Sequence, residues 1–254
     1  MILGFIGTGK ISSSIIYGIF NSKLKIKRIY ISSRNRNIAK KLTKNFRQVK
    51  ILNNNQEIIN KSSTIFLGIT PSVGEKILPK LIFSKKKKII SLISTINLEK
   101  LKKITKNKNI VRAIPLPPIK INKGPIVICP PNKNTKNLLK YLGTVIEIGN
   151  EKLSHKFWST ASIMAAFYET LNISSNWLIK KGINKNIANN YIAELFLSLS
   201  QDAVNKKSQG FKKLVADSQT PNGLNMQVLK ELQKEKYYTK FIKALENINR
   251  RVNK

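Results

Sequence analysis

The chain has 254 residues, of which 41% are hydrophobic, and a formal net charge of +35 at pH 7. This length and apolar content suffice for one large or two modest domains with a buried core, which excludes a disordered chain. A single cysteine, Cys129, excludes an internal disulfide; together with a single histidine, His155, it argues against cysteine- or histidine-based metal sites, so we expect no metal.

The positive charge is spread along the whole chain. Many isoleucines and asparagines accompany the lysines, as an A- and T-rich genome would produce, and aromatic residues reach only 7%. We therefore expect a solvated basic surface that attracts phosphates and carboxylates, and no specific nucleic-acid partner, although nucleic-acid binding stays open as an alternative. The start lacks the basic region of a signal peptide, and no apolar run approaches the roughly 20 residues of a membrane span. This predicts a cytoplasmic protein with no membrane partner.

The chain opens on an apolar stretch, residues 1–6, followed by two closely spaced glycines and a helical repeat of isoleucines. Gly7 permits a tight turn, Gly9 lets a pyrophosphate approach the backbone, and small Ser12 suits close helix–strand packing. The helix N-terminus adds free N–H groups and the positive end of its dipole. The pattern predicts a dinucleotide-binding turn between strand and helix, with an ordinary turn as the alternative.

A second predicted strand, residues 27–31, is followed by Ser32-Ser33-Arg34-Asn35-Arg36. An acidic residue at this place would bind the ribose 2′-hydroxyl of NAD. The chain offers hydroxyls and guanidiniums instead, and arginine forms bidentate hydrogen bonds with phosphate. NADP, with its 2′-phosphate, is therefore favoured over NAD; the alternative is simply a basic start to the next helix.

Strands and helices then alternate to about residue 150. Three of the strands end in loops that carry proline or hydroxyl groups, at Thr70-Pro71, at Ser94 and at Pro115. Ligands of an open α/β sheet bind at the carboxyl ends of its strands. We predict a Rossmann-type doubly wound α/β sheet in residues 1–150. The predicted strands are 49–52, 64–69, 88–94, 110–114, 125–129 and 144–148, and the helices 35–45, 56–61 and 73–83.

From about residue 151 the pattern is helical only. One long helix is predicted over 152–181, and a turn signal, Thr220-Pro221-Asn222-Gly223, precedes the last two helices. Helices this apolar need a partner to cover them. We predict an all-helical dimerisation domain in residues 151–254 and a homodimer or higher homo-oligomer. The further helical stretches are 185–206, 208–217, 225–234 and 237–252.

The opening glycines, the hydroxyl–arginine cluster, the proline after TIFLGI, the segment RAIPLPP and the turn DSQTPNGLN follow one another along the chain. In this order they resemble the pyrroline-5-carboxylate reductase family over essentially the whole sequence. The resemblance implies NADPH-dependent reduction of the cyclic imine 1-pyrroline-5-carboxylate to L-proline, the last step of proline synthesis. It also implies that the substrate binds between the Rossmann domain and helices of the partner subunit.

The resemblance also implies site residues, to which the strand-end pattern adds Ser94. The hydroxyl of Thr220 is the candidate for hydrogen bonding to the substrate nitrogen or carboxylate, unless it merely begins a turn. The predicted cofactor-binding residues are Gly7, Thr8, Gly9, Lys10, Ile11, Ser33, Arg34, Ile69, Thr70, Pro71 and Ser94, and the predicted substrate-binding residues are Pro115, Thr220, Pro221, Asn222 and Gly223.

Several substrate-side positions depart from the family pattern. Leu116 replaces an asparagine, Thr70 a lysine, and the segment 160–166 lacks the glycines that the family has there. Alternatives therefore stay open: an NADP-dependent reductase of another imino or oxo acid, a non-catalytic NADP-binding protein, or an enzyme of reduced activity.

Overall fold

The computed structural model describes residues 1–252. The chain divides into two compact units, Met1–Trp158 and Ser159–Lys254. The first contains a sheet with flanking helices, and the described part of the second is helical without strands, which confirms the predicted fold class. The boundary between the functional domains, placed at residue 150 by the sequence patterns, stays a prediction.

Eight strands form one sheet in the first unit, in the order β3-β2-β1-β4-β5-β6-β7-β8. Consecutive strands run outward from β1 in one direction and then from β4 in the other, so the order reverses between β1 and β4. In such sheets the crevice at this reversal binds ligands. The strands are β1 (Ile2–Ile6), β2 (Arg28–Ser32), β3 (Val49–Leu52), β4 (Thr64–Leu67), β5 (Lys88–Ser91), β6 (Ile110–Pro115), β7 (Pro125–Cys129) and β8 (Thr144–Glu147).

One neighbouring pair of strands, β6 and β7, is antiparallel; the other pairs of the sheet are parallel. The link between β6 and β7 contains only a 3-10 turn, Pro117–Ile121. A parallel connection needs a crossover of about a dozen or more residues. The short link therefore forces the chain to reverse.

Six helices flank the sheet: α1 (Lys10–Asn21), α2 (Arg36–Asn45), α3 (Asn55–Lys61), α4 (Pro71–Ile77), α5 (Leu98–Thr105) and α6 (Lys133–Leu139). The sequence patterns missed α5 and α6, although each follows an asparagine whose side chain caps it, Asn97 and Asn132. The helix predicted over 73–83 is shorter, because Pro79 cannot donate a helical hydrogen bond and only a 3-10 turn continues past Ile77.

The core of the first unit lies on both faces of the sheet. Central strands β1 and β4 are apolar on both faces, and the rings of Phe5 and Phe66 stack at 4.6 Å on one of them. Strands covered on both faces read as continuous apolar runs, which is why the sequence patterns located them.

The second unit contains α8 (Met164–Lys180), α9 (Lys185–Lys206), α10 (Phe211–Asp217), α11 (Leu224–Lys234) and α12 (Tyr237–Val252), while α7 (Ser154–Ala161) spans the boundary. The prediction of a single helix over 152–181 is wrong. The helix is interrupted at Ser162, whose hydroxyl donates to the Ser159 carbonyl oxygen at 2.6 Å. The backbone N–H of Ser162 donates to the same oxygen. A serine that bonds the preceding turn in this way competes with the helical pattern.

Hydrophobic residues of the second unit remain mostly exposed. Within residues 159–252, only Ala188 and Ile192 are buried among them, whereas Trp177 is 60% and Phe211 65% exposed. A helical unit with so little core needs further apolar cover. Over the described chain, no helix is both long and apolar enough to cross a membrane.

Candidate functional site

The turn after β1 requires glycine at position 7. Gly7 has a φ of +95°, a region that other residues rarely adopt. A Cβ at this position would also overlap the carbonyl group of Gly68 and the side chain of Ile69. The end of β1 and the loop after β4 therefore approach each other more closely than a side chain would allow.

Hydrogen bonds tie this turn to the end of β2. The Gly7 N–H donates to Ser32 Oγ at 3.0 Å, and Thr8 Oγ1 donates to the Ser32 carbonyl oxygen at 2.7 Å. All three residues are buried. The glycine turn and the loop that begins at Ser33 are thus held side by side at the carboxyl edge of the sheet.

Helix α1 begins directly after Gly9, which has extended backbone and no side chain to cap the helix. A Cβ on Gly9 would meet no atom within 4 Å, so the space in front of the helix start is open. The first N–H groups of a helix lack partners within it and attract anions. Ser12, one turn on, is fully buried and packs so closely on Gly68 that a Cβ there would overlap Ser12 Oγ. This is the close helix–strand packing that a small residue at position 12 predicts.

A cavity of about 520 Å³ lies at this edge, within the size range of small-molecule sites. It is lined by Gly7, Thr8, Gly9, Arg34, Asn35, Arg36, Asn37, Gly68, Ile69 and Thr70. A second cavity of about 160 Å³ shares Gly7, Arg34 and Ile69 with it and adds Ser33, Asn53 and Asn55. The ends of β1, β2, β3 and β4 therefore all contribute to one region.

The lining of the larger cavity is cationic. Arg34 and Arg36 are exposed, and none of the lining residues is acidic. Asn35 caps α2 by accepting a hydrogen bond from the Ile38 N–H at 3.3 Å, so the positive end of a second helix dipole lies in the same place. Two guanidiniums and two helix starts together suit a ligand with more than one phosphate.

Most of the predicted cofactor residues are brought together. Gly7, Thr8, Gly9, Arg34, Ile69 and Thr70 line the larger cavity and Ser33 the smaller one. Three of the others lie next to the cavity but do not line it: Lys10 and Ile11 begin α1, and Pro71 begins α4. Ser94 lies in the loop after β5, outside both cavities.

Sequence reasoning missed several lining residues, among them Asn37, Gly68, Asn53 and Asn55. Gly68 carried a usable signal, since a glycine at the end of a buried strand often marks a close backbone approach. The asparagines after β3 lie at the carboxyl end of a parallel strand, the edge at which ligands of such sheets bind.

The predicted substrate residues lie in both units. Pro115 ends β6 and is half-buried. Thr220 is exposed and begins a turn that the Gly223 N–H closes by donating to the Thr220 carbonyl oxygen at 2.9 Å. A Cβ on Gly223 would overlap Thr220 Oγ1, so this turn requires glycine there. Their role in substrate binding stays a prediction.

Sequence reasoning also missed a buried ion pair in the first unit. Arg112, on β6, is 1% exposed, and its Nη2 lies 2.6 Å from Oε1 of Glu151. Burial lowers the pKa of Arg112, and the neighbouring Glu151 carboxylate partly restores it. A lone arginine within the apolar run IVRAI was the available signal. Among the described residues, no three or more His, Cys, Asp or Glu side chains cluster as metal ligands would.

Comparison with known protein families matches two parts of the chain to domain models. Residues 2–98 match the model described as "NADP oxidoreductase coenzyme F420-dependent". Residues 153–254 match the model described as "Pyrroline-5-carboxylate reductase dimerisation". The chain thus contains an oxidoreductase domain with a pyridine-nucleotide-binding fold in its first unit. A dimerisation domain follows from residue 153.

Solved structures show the same fold over nearly the whole chain. A pyrroline-5-carboxylate reductase from Streptococcus pyogenes matches with a TM-score of 0.84 at 22% identity, covering 99% of this chain and 98% of that one. The Plasmodium falciparum enzyme with NADP bound gives 0.84 at 20% identity and 99% and 97% coverage. The Coxiella burnetii enzyme gives 0.80 at 21% identity, with the same coverage. On its two successive domain models, the chain belongs to the pyrroline-5-carboxylate reductase family.

Proposed function

We propose that this protein is an NADPH-dependent reductase that converts 1-pyrroline-5-carboxylate to L-proline. One observation carries the proposal: a cavity at the carboxyl ends of β1, β2 and β4 combines a glycine turn with Arg34 and Arg36. That lining fits a pyrophosphate and a 2′-phosphate. The choice of substrate rests on membership of the family.

The chain's own residues have distinct tasks in this proposal. When bound, NADPH would supply the hydride. Gly7 and Gly9 leave room for the pyrophosphate against the start of α1, and Arg34 with Arg36 binds the 2′-phosphate. The cationic lining is the observation that favours NADPH over a ligand without a 2′-phosphate, whereas the open space at Gly9 suits the pyrophosphate of either nucleotide.

The substrate side needs little acid–base chemistry from the protein. A cyclic imine protonated at nitrogen is already strongly electrophilic at carbon and carries the proton that the amine product keeps. The Thr220 hydroxyl, exposed at the start of its turn, would hydrogen-bond the imine nitrogen or the carboxylate, assisted by backbone N–H groups of the loop 221–225 other than that of Gly223, which closes the turn. We propose Thr220 as the catalytic residue, with Pro115, Pro221, Asn222 and Gly223 as substrate-binding residues.

The test is a turnover assay on the purified full chain. Given 1-pyrroline-5-carboxylate and NADPH, we expect loss of the reduced-nicotinamide absorbance with one proline formed per NADPH consumed, and slower turnover with NADH. Thr220→Val should lower kcat about tenfold to a hundredfold, whereas Thr239→Val, on exposed α12, should leave it unchanged. NADPH binding without turnover of any imine would contradict the proposal and favour a non-catalytic NADP-binding protein.

A second candidate is a reductase of another imino or oxo acid. Leu116, half-buried directly after β6, stands where the family pattern has an asparagine, so one polar group for the substrate is missing. A panel of cyclic imines and oxo acids compared by kcat/KM separates the two candidates. Growth of a proline auxotroph that carries this chain would support the first of them.

A further inference from the structure

Arg112 directs its guanidinium at the loop that follows β5. It donates to the carbonyl oxygens of Ile93, of Ser94 at 3.0 Å and of Ile96 at 2.5 Å. Arg112 itself lies within β6, two strands away from the cavity-lining loop after β4. One buried side chain thus fixes three backbone carbonyls of a loop on the neighbouring strand.

Glu151 completes this arrangement from the other side. Its Oε1 accepts hydrogen bonds from Arg112 Nε at 3.0 Å and Nη2 at 2.6 Å. The same carboxylate accepts the backbone N–H of Leu98, the first residue of α5, at 2.9 and 3.0 Å. Trp158 packs its ring 5.0 Å from Arg112 Cζ. Both the interior and the far end of the loop, residues 92–97, are therefore held.

The held loop adjoins the candidate nucleotide cavity. Strand β5 pairs with β4 in parallel, and the Leu92 N–H donates to the Leu67 carbonyl oxygen at 3.0 Å. Leu67 is followed by Gly68, which lines the cavity. Ser94 is half-buried and Thr95 exposed, so the loop offers hydroxyls at the same edge of the sheet.

An apolar residue could replace the buried ion pair itself but not its hydrogen bonds to the loop. Removing a guanidinium and a carboxylate from water is costly, and well-packed apolar residues often stabilise a core equally well. An apolar residue at position 112 could not hydrogen-bond three carbonyl oxygens, which are costly to bury unpaired. The arginine therefore holds the loop in one conformation.

We propose that Arg112 and Glu151 are positioning residues that fix loop 92–97 so that Ser94 and its neighbours bind the nicotinamide half of NADPH. The inference rests on the proposed function. The glycine turn and Arg34 lie at the ends of β1 and β2 and take the adenosine half. A dinucleotide crosses the reversal of strand order, so its other half extends toward β4 and β5.

The test compares two ligands on the full-length protein by calorimetry: NADPH, and adenosine 2′,5′-bisphosphate, which carries only the adenosine half. Arg112→Met should raise the Kd for NADPH about tenfold to a hundredfold, as loss of groups that orient a binding site does. The Kd for the bisphosphate should stay within about twofold, because its contacts are elsewhere. Arg112→Lys keeps the charge but lacks the planar guanidinium. Its Kd for NADPH should lie between those of the unaltered chain and of Arg112→Met.

Glu147 provides a matched control for Glu151. Both carboxylates pair with a cation and accept a backbone N–H, and their side chains are 25% and 24% exposed. Glu151→Gln should raise the Kd for NADPH but not the Kd for the bisphosphate. Glu147→Gln should change neither Kd. If Arg112→Met fails to fold in a melting experiment, Arg112→Lys and Glu151→Gln carry the comparison.

Three results would overturn the inference. Equal weakening of both ligands would mean that the pair acts only on the fold, and unchanged NADPH binding in all variants would mean that the loop needs no positioning. The unaltered chain binding neither ligand would instead refute the proposed function, and the inference with it.

Discussion

The two units bury apolar surface in different ways. The first covers both faces of its sheet with its own helices, and residues such as Phe5, Phe66 and Ile90 are at most 1% exposed. The described part of the second has long helices but almost no interior, and Ile187 on α9 is 63% exposed. A unit with its own core can be stable alone, whereas one without it depends on apolar cover from elsewhere. The contrast suggests that cofactor binding and assembly can be perturbed separately.

The largest effect is expected on assembly. Trp177, 60% exposed on α8, offers a large apolar surface, so Trp177→Glu should weaken self-association about a hundredfold or more by placing a charge in the contact. Sedimentation velocity of the full chain should then change from a homodimer or larger species to a monomer. Ile82→Glu, at a 77% exposed site of the first unit, is the control and should not change it. A Trp177→Glu chain that still sediments as the oligomer would place the contact on other helices.

The next effect separates backbone strain from close approach. Gly7 and Gly182 have φ values of +95° and +91°, but only at Gly7 would a Cβ meet other atoms within 4 Å. Gly182→Ala should lower the free energy of unfolding by about 1 kcal/mol, and Gly7→Ala by about 3 kcal/mol, because overlap adds to strain. Urea denaturation measures both. Equal losses of unfolding free energy in the two variants would show that the close approach of Gly68 to Gly7 adds no cost to the substitution.

A smaller effect tests the preference for the cofactor. Arg34→Ala should raise the Kd for NADPH about tenfold to a hundredfold and leave NADH binding nearly unchanged, since only NADPH has the 2′-phosphate. Arg28→Ala is the matched control, because Arg28 lies at the start of β2 and Arg34 follows the end of that strand. Fluorescence titration with both nucleotides gives the ratio. If Arg34→Ala weakened both nucleotides alike, it would act on the pyrophosphate or the fold instead.

The smallest effect is expected on the reactivity of Cys129, which should not change when assembly is disrupted. Cys129 is 2% exposed, and burial raises the pKa of its thiol, which disfavours the reactive thiolate. Labelling by a thiol reagent at mildly alkaline pH should therefore be slow and require opening of the first unit. Trp177→Glu should leave the labelling rate within about twofold if the first unit is stable by itself. Much faster labelling in that variant would mean that assembly also stabilises the sheet.

The sequence predicted those features that depend on neighbouring residues. The glycine turn, Arg34 and the buried strand TIFLGI are local patterns, and the structure brings them to one cavity. The pairing of Arg112 with Glu151 was not predictable in the same way, because it depends on residues distant in sequence. Side-chain pairing across 39 positions leaves no periodic signal. The break at Ser162 was missed because an apolar helical repeat hides a single serine that bonds the preceding turn.

The contact between Ser12 and Gly68 constrains how this sequence can vary in evolution. Adding even a methyl group at position 68 would collide with the Ser12 hydroxyl, and shrinking position 12 to glycine would still leave the Gly7 carbonyl oxygen 3.3 Å from the new carbon. Position 68 cannot gain volume while Ser12 stays as it is. In descendants of this chain, we expect a side chain at position 68 to appear only after position 12 has become smaller, whatever the mutational bias of the genome.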